Sequence, residues 1–166
     1  MQITTIEPFL EYLESARGRT RRAVLCIPPA DLEWAHAPGR FTLGDIVRHL
    51  AAIERWMFAE NASGRPSRYP GHGRDLADGF DATVAYLDRM HADSVEILRA
   101  LTPSQLAGRC VTPAGSSIPV WKWLRAMLEH EAHHRGQLYL MLSMRGVSLP
   151  PLYGLTEEEV RARSAS

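Results

Sequence analysis

The fold is decided by the stretch Leu128-Glu129-His130-Glu131-Ala132-His133-His134-Arg135-Gly136-Gln137-Leu138. This stretch contains three of the chain's seven histidines within five residues. Side chains four residues apart on an α-helix lie on one face, one turn apart. His130 and His134 can therefore direct ring nitrogens at one point. A divalent transition metal is the natural ligand for two imidazoles arranged in this way.

The helix face that carries both histidines is apolar. At about 100° per residue, the pair shares a sector of roughly 80° with four apolar side chains, Trp123, Met127, Leu138 and Met141. We therefore expect His130 and His134 to point into the core. His133 lies about 60° from His130 and is expected at the edge of this face or on the surface. Gln137 lies near the centre of the face and is expected to hydrogen-bond to a metal ligand.

A third histidine lies on the apolar face of an earlier helix. Thr42 begins this helix with Asp45 at the capping-box position, and its apolar stripe is Ile46, Leu50, Ile53 and Met57. His49 belongs to the same stripe. A lone histidine on such a face is more often a core residue bonded to a carbonyl. Together with His130 and His134, however, it makes three inward imidazoles from two helices, which is how helical bundles build metal sites.

The rest of the chain has the pattern of further helices. Helices are predicted over about 5–28, 42–57, 81–103 and 120–145, with Thr5 capping the first and the prolines Pro28-Pro29 ending it. Residues 63–73 read as a loop, and residues 106–119 as an irregular segment with at most two short extended pieces. A short last helix is expected from Thr156, capped by Glu159. We predict an all-α four-helix bundle with irregular connections, in a single domain spanning 1–166.

Composition argues against several classes of partner. Nineteen basic and nineteen acidic residues give a net charge of zero, so no basic surface indicates nucleic acid or an anionic membrane. No apolar run approaches the ~20 residues of a membrane span, and the N-terminus lacks a signal-peptide pattern. Cys26 and Cys110 stand in no paired motif, which is typical of a reducing compartment. A cytoplasmic location is therefore expected.

The histidine cluster also matches the H-E-x-x-H pattern of zinc metalloproteases, in which the glutamate acts as general base. The longer variant of this motif requires a glycine and then a third histidine, but this chain has Gln137 and Leu140 at those positions. A downstream glutamate ligand is available only among residues 157–159, and no predicted strands provide a sheet to carry a cleft. We therefore regard peptide hydrolysis as a minor alternative.

The other polar candidates are weaker. Glu131 can serve as a base only if the helix turns its side chain inward. His36, His72 and His91 have no partner at ligand spacing. We expect them in loops or at the surface, with His91 partly buried.

The sequence resembles the DinB/YfiT-like superfamily of metalloenzymes in two motifs, Phe41-Thr42-Leu43-Gly44-Asp45-Ile46-Val47-Arg48-His49-Leu50 and His130-Glu131-Ala132-His133-His134-Arg135-Gly136-Gln137. The late segment Pro150-Pro151-Leu152-Tyr153-Gly154 resembles the tail of that family. The resemblance covers most of the chain. It implies a four-helix bundle that holds a metal, zinc or nickel, through His49, His130 and His134. Residues 106–119 inherit nothing, because this segment varies in the family.

Three neutral imidazoles leave a divalent ion with its full charge and an open position, which is typical of a catalytic site. Such an ion can hold a thiol as its thiolate or lower the pKa of a bound water to about 7. The resemblance favours the thiol, because the family includes transferases and isomerases that depend on low-molecular-weight thiols. We therefore predict a metal-dependent thiol transferase with a small-molecule substrate. The alternatives are a metal-dependent hydrolase and a non-catalytic metal-binding stress-response protein. The resemblance also implies that a homodimer can form.

Overall fold

Helices make up most of the structure, a computed structural model that describes residues 2–164. In chain order its elements are α1 (Glu7–Val24), a 3₁₀ turn (Pro29–Asp31), α2 (Leu43–Ile53), a π-helical segment (Glu54–Ala59), α3 (Glu60–Ala62), α4 (Phe80–Arg99), α5 (Pro103–Ala107), β1 (Arg109–Val111), β2 (Ser117–Pro119), α6 (Val120–Met144) and α7 (Glu157–Ser164). The long helices α1, α2, α4 and α6 form the predicted four-helix bundle. Between residues 2 and 164, every helix is too short or too polar to span a lipid bilayer.

Packing between the long helices determines which faces meet. Helix α1 packs on α4 and α6, and α2 with its π-helical continuation packs on the same two helices. Helices α1 and α2 therefore lie at opposite corners of the bundle, although they are consecutive in the chain. This arrangement sets α2 against α6 and so places His49 opposite the histidine pair of α6.

Local capping chemistry determines where several helices begin and end. The Thr42 hydroxyl accepts from the Asp45 backbone N–H at 2.9 Å, and the Asp45 carboxylate accepts from the Thr42 backbone N–H at 3.0 Å. This confirms the predicted capping box. The predicted cap of the first helix is wrong, because Ile6 rather than Thr5 precedes α1 and provides no side-chain cap. Helix α6 ends just before Gly146, whose φ of 71° favours glycine.

The connections differ from the prediction in two places. Helix α1 ends at Val24, before the two prolines are reached. Residues 103–107 form a short helix that was not predicted, and it begins with a capping box between Thr102 and Gln105. The two extended pieces are present as an antiparallel hairpin in which Cys110 faces Ile118. The short C-terminal helix α7 is also present, as expected.

A layer of polar side chains divides the core into two apolar clusters. On α6, Met127 belongs to one cluster and Leu138 to the other. The buried polar side chains of the layer come from α1, the π-helical segment, α4 and α6: Arg17, Thr20, Glu54, Ser94, Glu131 and Arg135. His130 and His134 lie on α6 between the same two clusters. The histidines are therefore built into a polar level of the bundle.

Candidate metal centre

The structure brings His49 of α2 together with His130 and His134 of α6. One ring nitrogen from each histidine lies within 4.8 Å of the others, and all three residues are half-buried. The Nε2 atoms of His49 and His130 are 3.0 Å apart. His133 is exposed, in keeping with its expected place at the edge of this face. Three imidazoles from two helices thus converge on one point.

Hydrogen bonds to the outer ring nitrogens orient two of these imidazoles. Nδ1 of His134 lies 2.6 Å from Oε1 of Gln137, the contact expected for that glutamine. A carbonyl oxygen only accepts, so Nδ1 of His134 carries the proton and Nε2 keeps its lone pair. The Tyr69 hydroxyl lies 3.0 Å from Nδ1 of His49 and 2.6 Å from Nδ1 of His72. If this hydroxyl donates to His72 and accepts from His49, Nε2 of His49 is also free to bind a metal.

Burial keeps the three imidazoles neutral. Desolvation is the main cause that lowers the pKa of His49 to about 4 and that of His130 to about 3, and the neighbouring histidines lower both further. Desolvation also lowers the pKa of His134, against the opposing effect of its hydrogen bond to Gln137. Neutral imidazole is the form that binds metals. The site is therefore in its metal-binding protonation state at neutral pH.

These pKa values predict how the stability of metal-free protein depends on pH. The ordinary histidine pKa is 6.5, so between pH 6.5 and the folded values near 4 and 3 the unfolded chain binds more protons. The contribution of neutral His49 and His130 to the free energy of unfolding is fully present above pH 6.5. This contribution is lost as the pH falls through their folded pKa values. In urea titrations with a chelator, wild type should lose more unfolding free energy than His49→Ala between pH 7 and pH 5. Equal losses would contradict these assignments.

The donor set fits a transition metal. In a tetrahedral zinc site with Zn–N bonds of about 2.0–2.1 Å, the ligand nitrogens lie about 3.3 Å apart. The separations among these three histidines run from 3.0 Å to at most 4.8 Å and so span that value. Neutral imidazoles suit zinc and nickel, whereas calcium and magnesium prefer oxygen ligands. The three histidines are thus a set that can hold a borderline transition metal.

Similarity to known proteins agrees with the fold. The sequence pattern of the DinB superfamily matches residues 12–138, which include all three histidines. The chain belongs to the DinB superfamily. The uncharacterised protein YrdA of Bacillus subtilis strain 168 is 22% identical to this chain over 161 residues, which cover 93% of this chain and 92% of YrdA.

Two solved structures share the fold of this chain at low sequence identity. YfiT of Bacillus subtilis, which has an unusual four-helix bundle topology, superposes with a TM-score of 0.70 at 18% identity, covering 89% of this chain and 91% of YfiT. A mycothiol-dependent maleylpyruvate isomerase, solved as its H52A mutant, superposes with a TM-score of 0.65 at 13% identity. That match covers 81% of this chain and 60% of the isomerase. At these identities the similarity establishes the fold.

Glu131 of this DinB protein faces the polar layer of the bundle. Its Oε2 atom lies 3.1 Å from Nη2 of Arg17, which also pairs with Glu54. Glu131 is buried but lies outside the group of three histidines. The helix turns Glu131 inward, as a role as base requires, but toward Arg17 rather than toward the three histidines, so that role stays a prediction. The same contact argues against the H-E-x-x-H interpretation, which requires this glutamate at the metal.

His91 belongs to the polar layer as well. Its Nδ1 atom lies 2.8 Å from Oε1 of Glu54, and its Nε2 atom lies 3.2 Å from Oε2 of Glu14. Burial would lower the pKa of His91, but the hydrogen bond and charge of Glu54 raise it above its ordinary value. The expectation that His91 is partly buried is confirmed, since 11% of its side chain is exposed.

The sequence pattern did not place two loop residues, Tyr69 and His72, beside the candidate metal centre. The ring centroid of Phe41 lies 4.1 Å from that of His72 and 5.4 Å from that of His49. Tyr69 and His72 thus lie next to the site, where His72 had been expected only in a loop or at the surface. A tyrosine and a histidine three residues apart in a Gly/Pro-rich loop were a usable signal, because loops often carry functional side chains.

An apolar cleft of about 500 Å³ opens beside the histidines. His134 and Gln137 line the end of this cleft that adjoins the metal centre, and Phe41 lines it as well. Its volume lies within the range of about 300–1,000 Å³ that is usual for small-molecule sites. The arrangement places an apolar compartment next to the three converging imidazoles.

Proposed function

We propose that His49, His130 and His134 hold a divalent zinc or nickel ion, and that the protein transfers a low-molecular-weight thiol to an organic electrophile. The observation that carries this proposal is the convergence of three neutral imidazoles beside an apolar cleft. A divalent ion bound by these nitrogens would favour the thiolate form of a thiol whose ordinary pKa is near 8.5. In the transfer, the thiol gives its proton to solvent, its sulfur bonds to the electrophilic carbon, and the leaving group departs with the bonding electrons.

The described relatives support a metal and a thiol. YfiT is described as a probable metal-dependent hydrolase, and the isomerase depends on mycothiol. Both share the fold of this chain, but neither is similar enough in sequence to carry over its substrate. A homodimer and a cytoplasmic location, expected from the sequence, stay predictions.

The protein's own residues have distinct tasks in this proposal. Gln137 holds the Nδ1–H of His134, and Tyr69 holds that of His49, so both rings keep Nε2 directed at the centre. The apolar cleft binds the body of the electrophile and excludes water from one side of the thiol.

Gln137→Leu is expected to weaken zinc binding about 10–100-fold, because His134 loses the acceptor that fixes its tautomer and orientation. Gln137→Glu keeps an acceptor oxygen at that position and should retain most of the affinity. Competition with a chromophoric chelator measures both dissociation constants. If the leucine and glutamate variants bind zinc equally well, the hydrogen bond at His134 does not orient a ligand.

Thiol transfer is tested with monochlorobimane, whose chloride is the leaving group, and a panel of cellular thiols. The zinc-loaded protein should accelerate conjugation of at least one thiol above the spontaneous rate. The acceleration should disappear in His49→Ala and persist in His133→Ala, which removes an exposed histidine next to the site. The absence of metal-dependent turnover with every thiol would contradict the proposal.

A hydrolase is the second candidate, supported by the description of YfiT. The same three-histidine site would then activate water in place of a thiol. Hydrolysis of p-nitrophenyl esters that requires zinc and His49, without any thiol-dependent turnover, would favour this candidate. If neither reaction depends on the metal, the non-catalytic metal-binding alternative is favoured.

A further inference from the structure

Large apolar side chains are exposed to solvent in the apolar cleft beside His134. Its apolar lining comes from the residue before the cap of α2, from α2 itself and from the C-terminal half of α6: Phe41, Ile46, Leu140, Met141 and Met144. Leu140 is 64% exposed and Met144 is 57% exposed, although both are large apolar side chains. Exposed apolar surface that continues into a cavity is typical of a ligand site.

The rim of this cleft carries a guanidinium without a compensating acid. Arg40 and His36 line it, and both side chains are exposed. None of the lining residues carries a carboxylate. Two arginines in the same part of the molecule are paired, Arg145 with Asp31 at 2.9 Å and Arg48 with Glu33. Among the ion pairs of residues 2–164, by contrast, none joins the Arg40 guanidinium to an acidic side chain.

The cleft is also continuous with the metal centre. His134 contributes to both, and the Phe41 ring that lines the cleft contacts His49 edge-on, with centroids 5.4 Å apart. A ligand whose apolar body fills the cleft therefore has one end beside the three imidazoles. Another part of the same ligand lies near Arg40.

We propose that the electrophile bound in this cleft is an amphipathic organic carboxylate. Its apolar body packs on Leu140 and Met144, and its carboxylate pairs with Arg40. A guanidinium presents two N–H groups that match a carboxylate, which gives the cleft selectivity for acids over neutral analogues. This inference rests on the proposed function in placing the electrophile here, but its test measures binding and needs no turnover.

The test compares 4-phenylbutyrate with its uncharged amide, 4-phenylbutanamide, as ligands of the zinc-loaded protein in calorimetric titrations. Wild type should bind the acid roughly fivefold more tightly than the amide. Arg40→Gln should remove this preference and leave the amide affinity unchanged. Arg99→Gln, which removes an exposed charge from the end of α4, should keep it. Leu140→Ser should weaken binding of both ligands by a similar factor.

A carboxylate can also bind a metal directly, so the titrations are repeated on His49→Ala. If the acid preference persists there and disappears only in Arg40→Gln, the arginine recognises the carboxylate whether or not the metal proposal holds. An acid preference that survives Arg40→Gln overturns the inference, as does equal binding of acid and amide by wild type. The inference is also overturned if wild type is a dimer that binds neither ligand and Leu140→Ser dissociates this dimer. The cleft would then be a contact between two copies of the chain.

Discussion

His130→Ala is expected to remove nearly all bound metal from the protein. The Nε2 atom of His130 lies 3.0 Å from that of His49, and its ring contacts the rings of His134 and Phe58. With one of three ligands gone, affinity should fall by more than the 10–100-fold that loss of an orienting partner typically costs. Elemental analysis of untagged protein, purified from zinc-replete medium, measures the effect as equivalents of metal per chain.

His133→Ala is the matched control, because it removes an exposed histidine three residues along the same helix. It should retain the metal content of wild type. If His130→Ala and His133→Ala hold the same amount of metal, the ion is bound elsewhere or without specificity, and the three-histidine centre is refuted.

Arg17→Met is expected to destabilise the fold by about 3–5 kcal/mol, because it leaves buried carboxylates without their cation. Arg17 pairs with Glu54 and lies 3.1 Å from Glu131, and all three side chains are at most 4% exposed. Burial would raise the pKa of Glu54, but the charge of Arg17 and the contact with His91 hold it near 2. Urea unfolding monitored by circular dichroism gives the change in free energy.

Arg22→Met provides the control for this substitution, since Arg22 lies on the exposed side of the same helix. Its effect should stay within about 0.5 kcal/mol. Adding Glu131→Gln to Arg17→Met should recover part of the stability, because it removes one of the unpaired charges. Equal stability of Arg17→Met and Arg22→Met would show that the polar layer is not held together by this arginine.

The helices were predictable because their signals are local. The capping box at Thr42 and Asp45 is readable from two side chains three residues apart, and it is present in the structure. Helix α6 follows a long apolar period and is followed by Gly146, so its predicted bounds were nearly correct. The short helix α5 carries a similar signal in Thr102 and Gln105, which was overlooked because the segment is brief and polar.

The inward direction of the three histidines was predictable for a related reason. A helix fixes the angle between His130 and His134, so the pair had to share one face. The bundle class then supplied the facing helix with His49. Which helices pack against each other, however, depends on contacts between distant parts of the chain, such as those of α2 with α6.

The direction of Glu131 and the position of Tyr69 could not be predicted from local pattern. Glu131 turns to Arg17, a partner 114 residues earlier in the chain, and no periodicity reports such a pair. Tyr69 reaches His49 because residues 63–73 fold back over the bundle, and the course of such a loop is set by tertiary contacts. The π-helical segment beginning at Glu54 likewise has no sequence signature.

X-ray absorption spectroscopy of the zinc-loaded protein, before and after addition of a thiol, shows directly whether three histidines form an open metal centre. We expect three imidazole nitrogens at about 2.0–2.1 Å and an exchangeable oxygen ligand, which the thiol replaces with sulfur at about 2.3 Å. Fewer than three imidazoles, or a fourth ligand from the protein that closes the site, would contradict the open three-histidine centre. An unchanged spectrum with every thiol would contradict the proposed thiol transfer.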